Sequence, residues 1–320
     1  MKGLIAIPIV VGSLLLIGGG ALFGVAVYKS SKNSTIETKE YNEEDLGAFN
    51  KFDIDLTIAD LEFKKGDAAK VVVDETKYDV HDVNVVDNTL TIKGKDTRKW
   101  YEHVFNWNWF DKVKVTVYMP EGEYDAFKVK TATGNVVVPA DFSFASFEVK
   151  ASTGNITSRA NVTNDIQVKA STGNVDFESV AAKNITVETS TGNIKLNNNT
   201  VTEKIDIDSD TGDIRLDKVT CGDYKSHSDT GDVNFADVNV TNKVEIKNGV
   251  GHVKMERSDA GTLEIKTSTG DVNLELATPK IVYADSKTGR KNVPVSTTGG
   301  ICQINTTTGN IKVTFTSQPD

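Results

Sequence analysis

The sequence predicts an all-β chain, a single-domain β-solenoid with 19–20 residues per turn, preceded by one N-terminal transmembrane helix. Three observations predict it. A glycine-bearing turn recurs at positions 134, 154, 173, 192, 212, 231, 251, 270, 289 and 309, most often as Ser-Thr-Gly-Asn. Numbered from each glycine, apolar residues fall at −7, −5, +2 and +4, with a small residue at −3. Finally, Leu4 to Val27 is an uncharged and mostly apolar run. A period this short marks stacked supersecondary units that each touch only their neighbours, so 320 residues need not mean two domains.

Taken in chain order, residues 1–29 read as the anchor. At ~1.5 Å per residue a helix over 4–27 spans ~36 Å, enough for a hydrocarbon core of ~30 Å. A cleaved signal peptide is the competing reading, with Gly24-Val25-Ala26 as the small-residue site, but the run is longer than an ordinary signal core. Residues 30–45 are polar, lack an apolar period and read as a spacer between membrane and fold. Residues 46–126 read as an irregular N-terminal capping region. Within it Phe52, Ile54, Leu56, Leu61 and Phe63 match the repeat offsets around Ala59, and Val71–Val73, Leu90–Ile92 and Val113–Val117 suggest further strands. Residues 127–320 are the regular repeats, disturbed around Gly289, where Lys287, Arg290, Lys291 and Pro294 interrupt the pattern and predict a bulged loop.

Each repeat reads as two short strands around one turn. Ile166, Val168 and Ala170 alternate with polar residues before Gly173, and Val175 and Phe177 follow it, the period of a strand with one wet face. Antiparallel hairpins would share this pattern. The turn chemistry favours a coil: Thr is poor at the central positions of two-residue hairpins, whereas Thr-Gly suits a type II turn that splays its strands. Small residues at −3 fit the crowded corner of a narrow coil, where stacked hydroxyls are expected to hydrogen-bond along the axis.

Together with Leu90-Thr91-Ile92-Lys93 and the run Val113 to Pro120, this Thr-Gly-Asn/Asp series resembles the bacterial putative-adhesin family of β-strand-repeat envelope proteins. The resemblance covers roughly residues 50–315 and points in particular to membrane-tethered members encoded beside envelope-stress systems. It implies a single-pass cell-membrane protein with its repeat domain extracellular. It carries over no catalytic or ligand residue. The C-terminal residues 316–320 lack a wall-sorting tail, so attachment is expected to rest on residues 4–27.

Composition narrows the partners. The formal net charge is −9, and all acidic residues lie beyond residue 32, a surface that repels nucleic acid. Cys221 and Cys302 sit about four repeats apart, ~19 Å at ~4.8 Å per stacked strand, too far to bridge. Asp210-Thr211-Gly212 and Asp229-Thr230-Gly231 spell the Asp-Thr-Gly of aspartic proteases but occupy the ordinary turn slot, one repeat apart. Asp210, Asp213, Asp229 and Asp232 would stack on adjacent turns, either as a solvated acidic corner or as ligands for calcium. All three tryptophans lie between Trp100 and Trp109, and Trp100, Tyr101, Trp107, Trp109 and Phe110 are candidates either to plug the end of the coil or to contact a partner. His81, His103, His227 and His252 have no zinc-ligand spacing.

No catalytic constellation emerges. The expectation is a non-catalytic, membrane-anchored extracytoplasmic solenoid, adhesin-like or an accessory of envelope stress, with an envelope protein or a cell-surface polymer as its partner. The alternatives are a polysaccharide-active solenoid enzyme and a structural spacer.

Overall fold

The computed structural model describes residues 36–98 and 113–316. The run 4–27 and the aromatic segment from Trp100 to Phe110 lie outside the described residues. Among those described, no helix is long and apolar enough to cross a membrane.

Each repeat gives a long strand before its glycine and a short one after it, as in Asp165–Thr172 and Val175–Glu178 around Gly173. Like strands of successive coils stack in parallel and in register. On the long-strand side Val149 lies beside Val168, then Val187, then Ile207. On the short-strand side Ile156, Val175, Ile194 and Ile214 follow one another. The inward-facing residues of both sheets meet in one continuous core, and these eight are each no more than 1% exposed.

Glycine is required at the corner for two reasons. Its φ runs from 142° to 159° across the ten corners, which L side chains rarely adopt. A Cβ on Gly192 would also lie 2.0 Å from the carbonyl oxygen of Gly173 in the neighbouring coil. This corner is therefore not the type II turn that Thr-Gly suggests, whose glycine has φ near about +80°. The close stacking of backbones, invisible in a single repeat, selects a more extended glycine. At the opposite corner Ser179, Asn198, Lys218 and Asp237 take φ of 53–58°, and none of them is β-branched.

The small −3 residues face inward, but the expected hydroxyl ladder does not form. Thr189, Ser209, Ser228 and Thr267 are buried without a side-chain hydrogen bond. Where a −3 residue does bond, it donates to a glycine carbonyl one coil away: Asn248 Nδ2 to Gly231 at 3.1 Å and Ser286 Oγ to Gly309 at 2.9 Å. Parallel stacking sets equivalent hydroxyls side by side, while the corner carbonyl lies diagonally within reach.

Both ends of the stack depart from chain order. The coil cornered at Ala59, Lys51–Ile58 and Asp60–Lys65, lies directly against the Gly134 coil, with Ile54 beside Val129 and Leu61 beside Val136. A later coil, Thr89–Asp96 and Lys114–Met119, sits outside it. Antiparallel strands Lys70–Glu75 and Asp79–Val86 then close that end. Residues 37–42, assigned by composition to the spacer, form the strand Glu37–Asn42, followed by a short helix, Glu43–Leu46. That strand has no apolar period because it is an edge. It is held by its ladder to Lys70–Glu75, by Thr38 donating to Asp74 and by the Lys39–Glu75 and Lys70–Glu40 ion pairs.

At the other end the last coil, Ile301–Thr308 and Ile311–Phe315, inserts between the Gly270 and Gly289 coils. Ile304 pairs with Ile265 on one side and Ala284 on the other. The bulged loop expected near Gly289 is thus a crossover: residues 293–300 carry the chain back inward.

Phenylalanines fill the N-terminal third of the core. Phe127 stacks on Phe147 with centroids 4.6 Å apart, and Phe52 meets Phe63 edge-on at 5.1 Å. Farther along the core is mainly aliphatic, with Tyr224 against Phe235 at 4.8 Å.

Candidate functional site

Strand alternation puts positions −6, −4 and −2 of each long strand on the outer face, so like positions form rows along the stack. The −4 row runs Asp55, Lys130, Lys150, Lys169, Glu188, Asp208 over six neighbouring coils. Beside it the −2 row is small: Ala132, Ser152, Ser171 and Ser190. Long charged side chains next to short ones leave an open groove of about 660 Å³ along the glycine corner, lined by both rows and ending at Asp210. Three successive lysines, ~4.8 Å apart from strand to strand, occupy its middle and carboxylates its ends. Lys169 Nζ lies 2.6 Å from Glu188, and Lys150 Nζ 2.5 Å from Glu148. Farther along the same face Glu264 bonds both Lys243 and Lys266, which hold its carboxyl down to about 2.

A second row explains the Asn and Asp after each glycine. Asn155 N–H donates to Asn135 Oδ1, Asn174 to Asn155 and Asn193 to Asn174, at 2.8–2.9 Å. The ladder continues through Asp213, Asp232, His252, Asp271 and Asn310 to Arg290. Each side chain accepts from the next coil's backbone, so any residue with an acceptor fits. His252 serves through Nδ1, which accepts from Asp271 N–H at 3.0 Å.

Of the four aspartates weighed as a calcium site, Asp213 and Asp232 are rungs of this ladder, each committing an oxygen to a backbone amide. Asp210 and Asp229 are exposed on the long-strand face, where His227 lies 3.4 Å from Asp229. Among the described residues no group of three or more His, Cys, Asp or Glu is placed to hold a metal. Trp100, Tyr101, Trp107, Trp109 and Phe110 lie outside the described residues. Val113, the next described residue after Arg98, accepts from Asp60 N–H through its carbonyl at 3.0 Å. Arg98 is held by Asp79 and Asp96.

The cysteines are free and buried, and burial pushes both thiols up to about 12. Neither the groove nor the ladder is legible in a single repeat. What was missing was the register that turns a one-dimensional period into neighbours.

Residues 49–218 and again 200–319 match the family described as Toastrack DUF4097. The chain belongs to this family. Solved structures similar to this Toastrack chain include a putative adhesin of Bacteroides fragilis NCTC 9343, 17% identical, covering 88% of this chain and 97% of that one at a TM-score of 0.45. Another, a putative adhesin of Parabacteroides distasonis ATCC 8503, is 14% identical over 88% and 98% at 0.48. A third, a putative adhesin of Parabacteroides merdae ATCC 43184, is 13% identical over 87% and 97% at 0.45. No curated protein matches this Toastrack chain.

Proposed function

We propose that this chain is a non-catalytic, membrane-anchored binding module of the cell envelope, which receives an extended partner along the groove of its long-strand face. The observation that carries the reading is the groove itself, open along its length, with its polar rows repeating at the strand spacing across six coils. A linear polymer or extended polypeptide can follow such rows and gain many weak contacts. Lys130, Lys150 and Lys169 favour anionic groups on that partner, and the hydroxyls of Ser152, Ser171 and Ser190 favour hydrogen-bonding ones. The exposed and ion-paired Glu188 suits binding better than acid–base work, which calls for desolvated carboxyls. Residues 4–27 supply the anchor and the repeat domain faces outward. The names of the adhesin neighbours accord with binding.

Two measurements test this. Pull-down of envelope polymer by the full chain should fall about tenfold in the Lys150→Glu/Lys169→Glu variant and weaken with salt. Capture that ignores both changes would remove the groove from the mechanism. Removing residues 4–27 should shift the protein from the membrane to the soluble fraction, and continued membrane pelleting would rule out the anchor.

A further inference from the structure

The outermost C-terminal coil keeps the glycine corner of the coils beneath it, and among the described residues no coil lies beyond it. In each coil below, two corner amides point toward the next coil: Gly270 N–H donates to Thr308 O and Val272 N–H to Asn310 O, both at 2.9 Å. The next pair does the same, Gly309 to Thr288 at 3.0 Å and Ile311 to Arg290 at 2.8 Å. By this register the equivalent donors at the tip are Gly289 N–H and Lys291 N–H, and among the described residues no further coil follows. Strand Ile281–Thr288 is paired on one side, to Ile301–Thr308, and among the described residues its other edge is open.

The chemistry of that edge is specific. Lys287, Arg290 and Lys291 surround the corner, all exposed. Asp285, which lies 3.7 Å from Lys291, offsets part of this charge. Tyr283 on this strand is 60% exposed, and Ile301 on the strand beneath it 51%. Amide donors among cations call for a negatively charged acceptor, and backbone donors at a sheet edge are a known form of anion site.

Arg290 decides what kind of strand fits. It occupies the ladder position, where its N–H donates to Asn310 Oδ1 at 3.0 Å. Asn, Asp or His in that slot would offer an acceptor to the next coil's corner amide, and arginine offers none. A second copy of this chain, or any further coil, would therefore stack with an unsatisfied amide against a cation. A peptide that ends at the corner has no amide there. Its terminal carboxylate falls where the next coil's Thr carbonyl would be, with one oxygen for Gly289 N–H and the other toward the Arg290 and Lys291 cations.

We infer that the C-terminal tip binds the free carboxyl terminus of an extended peptide, added as one more parallel strand beside Ile281–Thr288. Main-chain bonds to the edge give affinity, as in other strand additions, and the charged corner selects the terminus. This site is separate from the groove and does not depend on it.

The test is fluorescence anisotropy on the full chain in detergent micelles. The probe is a fluorescein-labelled octapeptide of alternating threonine and valine with a free C-terminal carboxylate, compared with its C-terminal amide. The acid is expected to bind at least tenfold more tightly than the amide. Lys287→Glu/Arg290→Glu should abolish that preference, and Lys150→Glu/Lys169→Glu should leave it intact. Should the double charge reversal unfold, Arg290→Asn keeps the ladder bond geometry and should still reduce the preference severalfold. Equal binding of acid and amide, or binding of neither, overturns the inference. So does crosslinking of the wild-type chain into head-to-tail oligomers through this end, which would place a second copy there.

Discussion

A side chain at Gly192 would meet the Gly173 carbonyl in a backbone conformation that only glycine holds easily. Gly192→Ala is therefore expected to cost at least about 3 kcal/mol, as strain and a backbone clash combine. Asn193→Ala removes one acceptor from the exposed ladder, that for Asp213 N–H, and should cost only about 1 kcal/mol, because water can replace it. Urea denaturation of the two variants checks the order, and equal losses would contradict it. His81 supplies a pH dependence. Its ring is buried with neither nitrogen hydrogen-bonded, and Nδ1 stands 3.5 Å from Glu75. Burial lowers its pKa below 6.5, against the opposing pull of the Glu75 and Asp79 carboxylates, while Lys39 on Glu75 adds to the lowering. The unfolded chain thus takes up this proton first as pH falls. The stabilisation is complete above about pH 6.5 and is lost as pH drops from there through the folded value. His81→Gln should flatten that part of the stability profile, and an unchanged slope would assign it to other groups.

Among elements, the inserted last coil holds the C-terminal tip in place. Strand Ile281–Thr288 rests on Ile301–Thr308, and Lys291–Asn292 rests on Ile311–Phe315. Deleting residues 301–316 should therefore strip hydrogen-exchange protection from 281–292 as well, while the Asp165–Thr172 strand keeps its own. Retained protection at 281–288 would mean that this strand can dock on the Gly270 coil directly. The thiols report on the same packing. Cys221 and Cys302, buried with pKa values pushed up to about 12, should resist Ellman's reagent in the native state and both react once unfolded. The inversion of coil order at each end could not be read from the repeat, since a coil's sequence states that it stacks but not on which neighbour. Arg290 in the ladder slot was the nearest thing to a signal, because it marks a coil that nothing needs to follow.

Over the whole molecule each coil touches only its neighbours, so stability varies along the axis as local packing does. The coils around Phe127, Phe144 and Phe147 share the densest set of aromatic contacts. The slowest-exchanging amides should lie there and the fastest at the C-terminal tip, and a flat exchange profile would show that the stack unfolds as one unit. The acidic balance of the chain is spread over a surface whose basic residues gather locally, in the middle of the groove and at the tip. Net charge, summed over the whole chain, thus reveals neither patch.

By itself the sequence determined that this chain coils. A glycine every 19 or 20 residues, with alternating apolar positions on either side, leaves few other ways to bury those side chains and satisfy the backbone between them. It also gave the coil cornered at Ala59, because Phe52, Ile54, Leu61 and Phe63 keep the offsets without the glycine. Only the tertiary structure decided which coils are neighbours, that Glu37–Asn42 is an edge strand, and that Asp213 and Asp232 are ladder rungs. The physical reason is that periodicity fixes which way a side chain points, whereas the groove, the ladder and the open tip depend on what lies one coil away. That is a distance of about one strand spacing in space and of 19 to 75 residues along the chain.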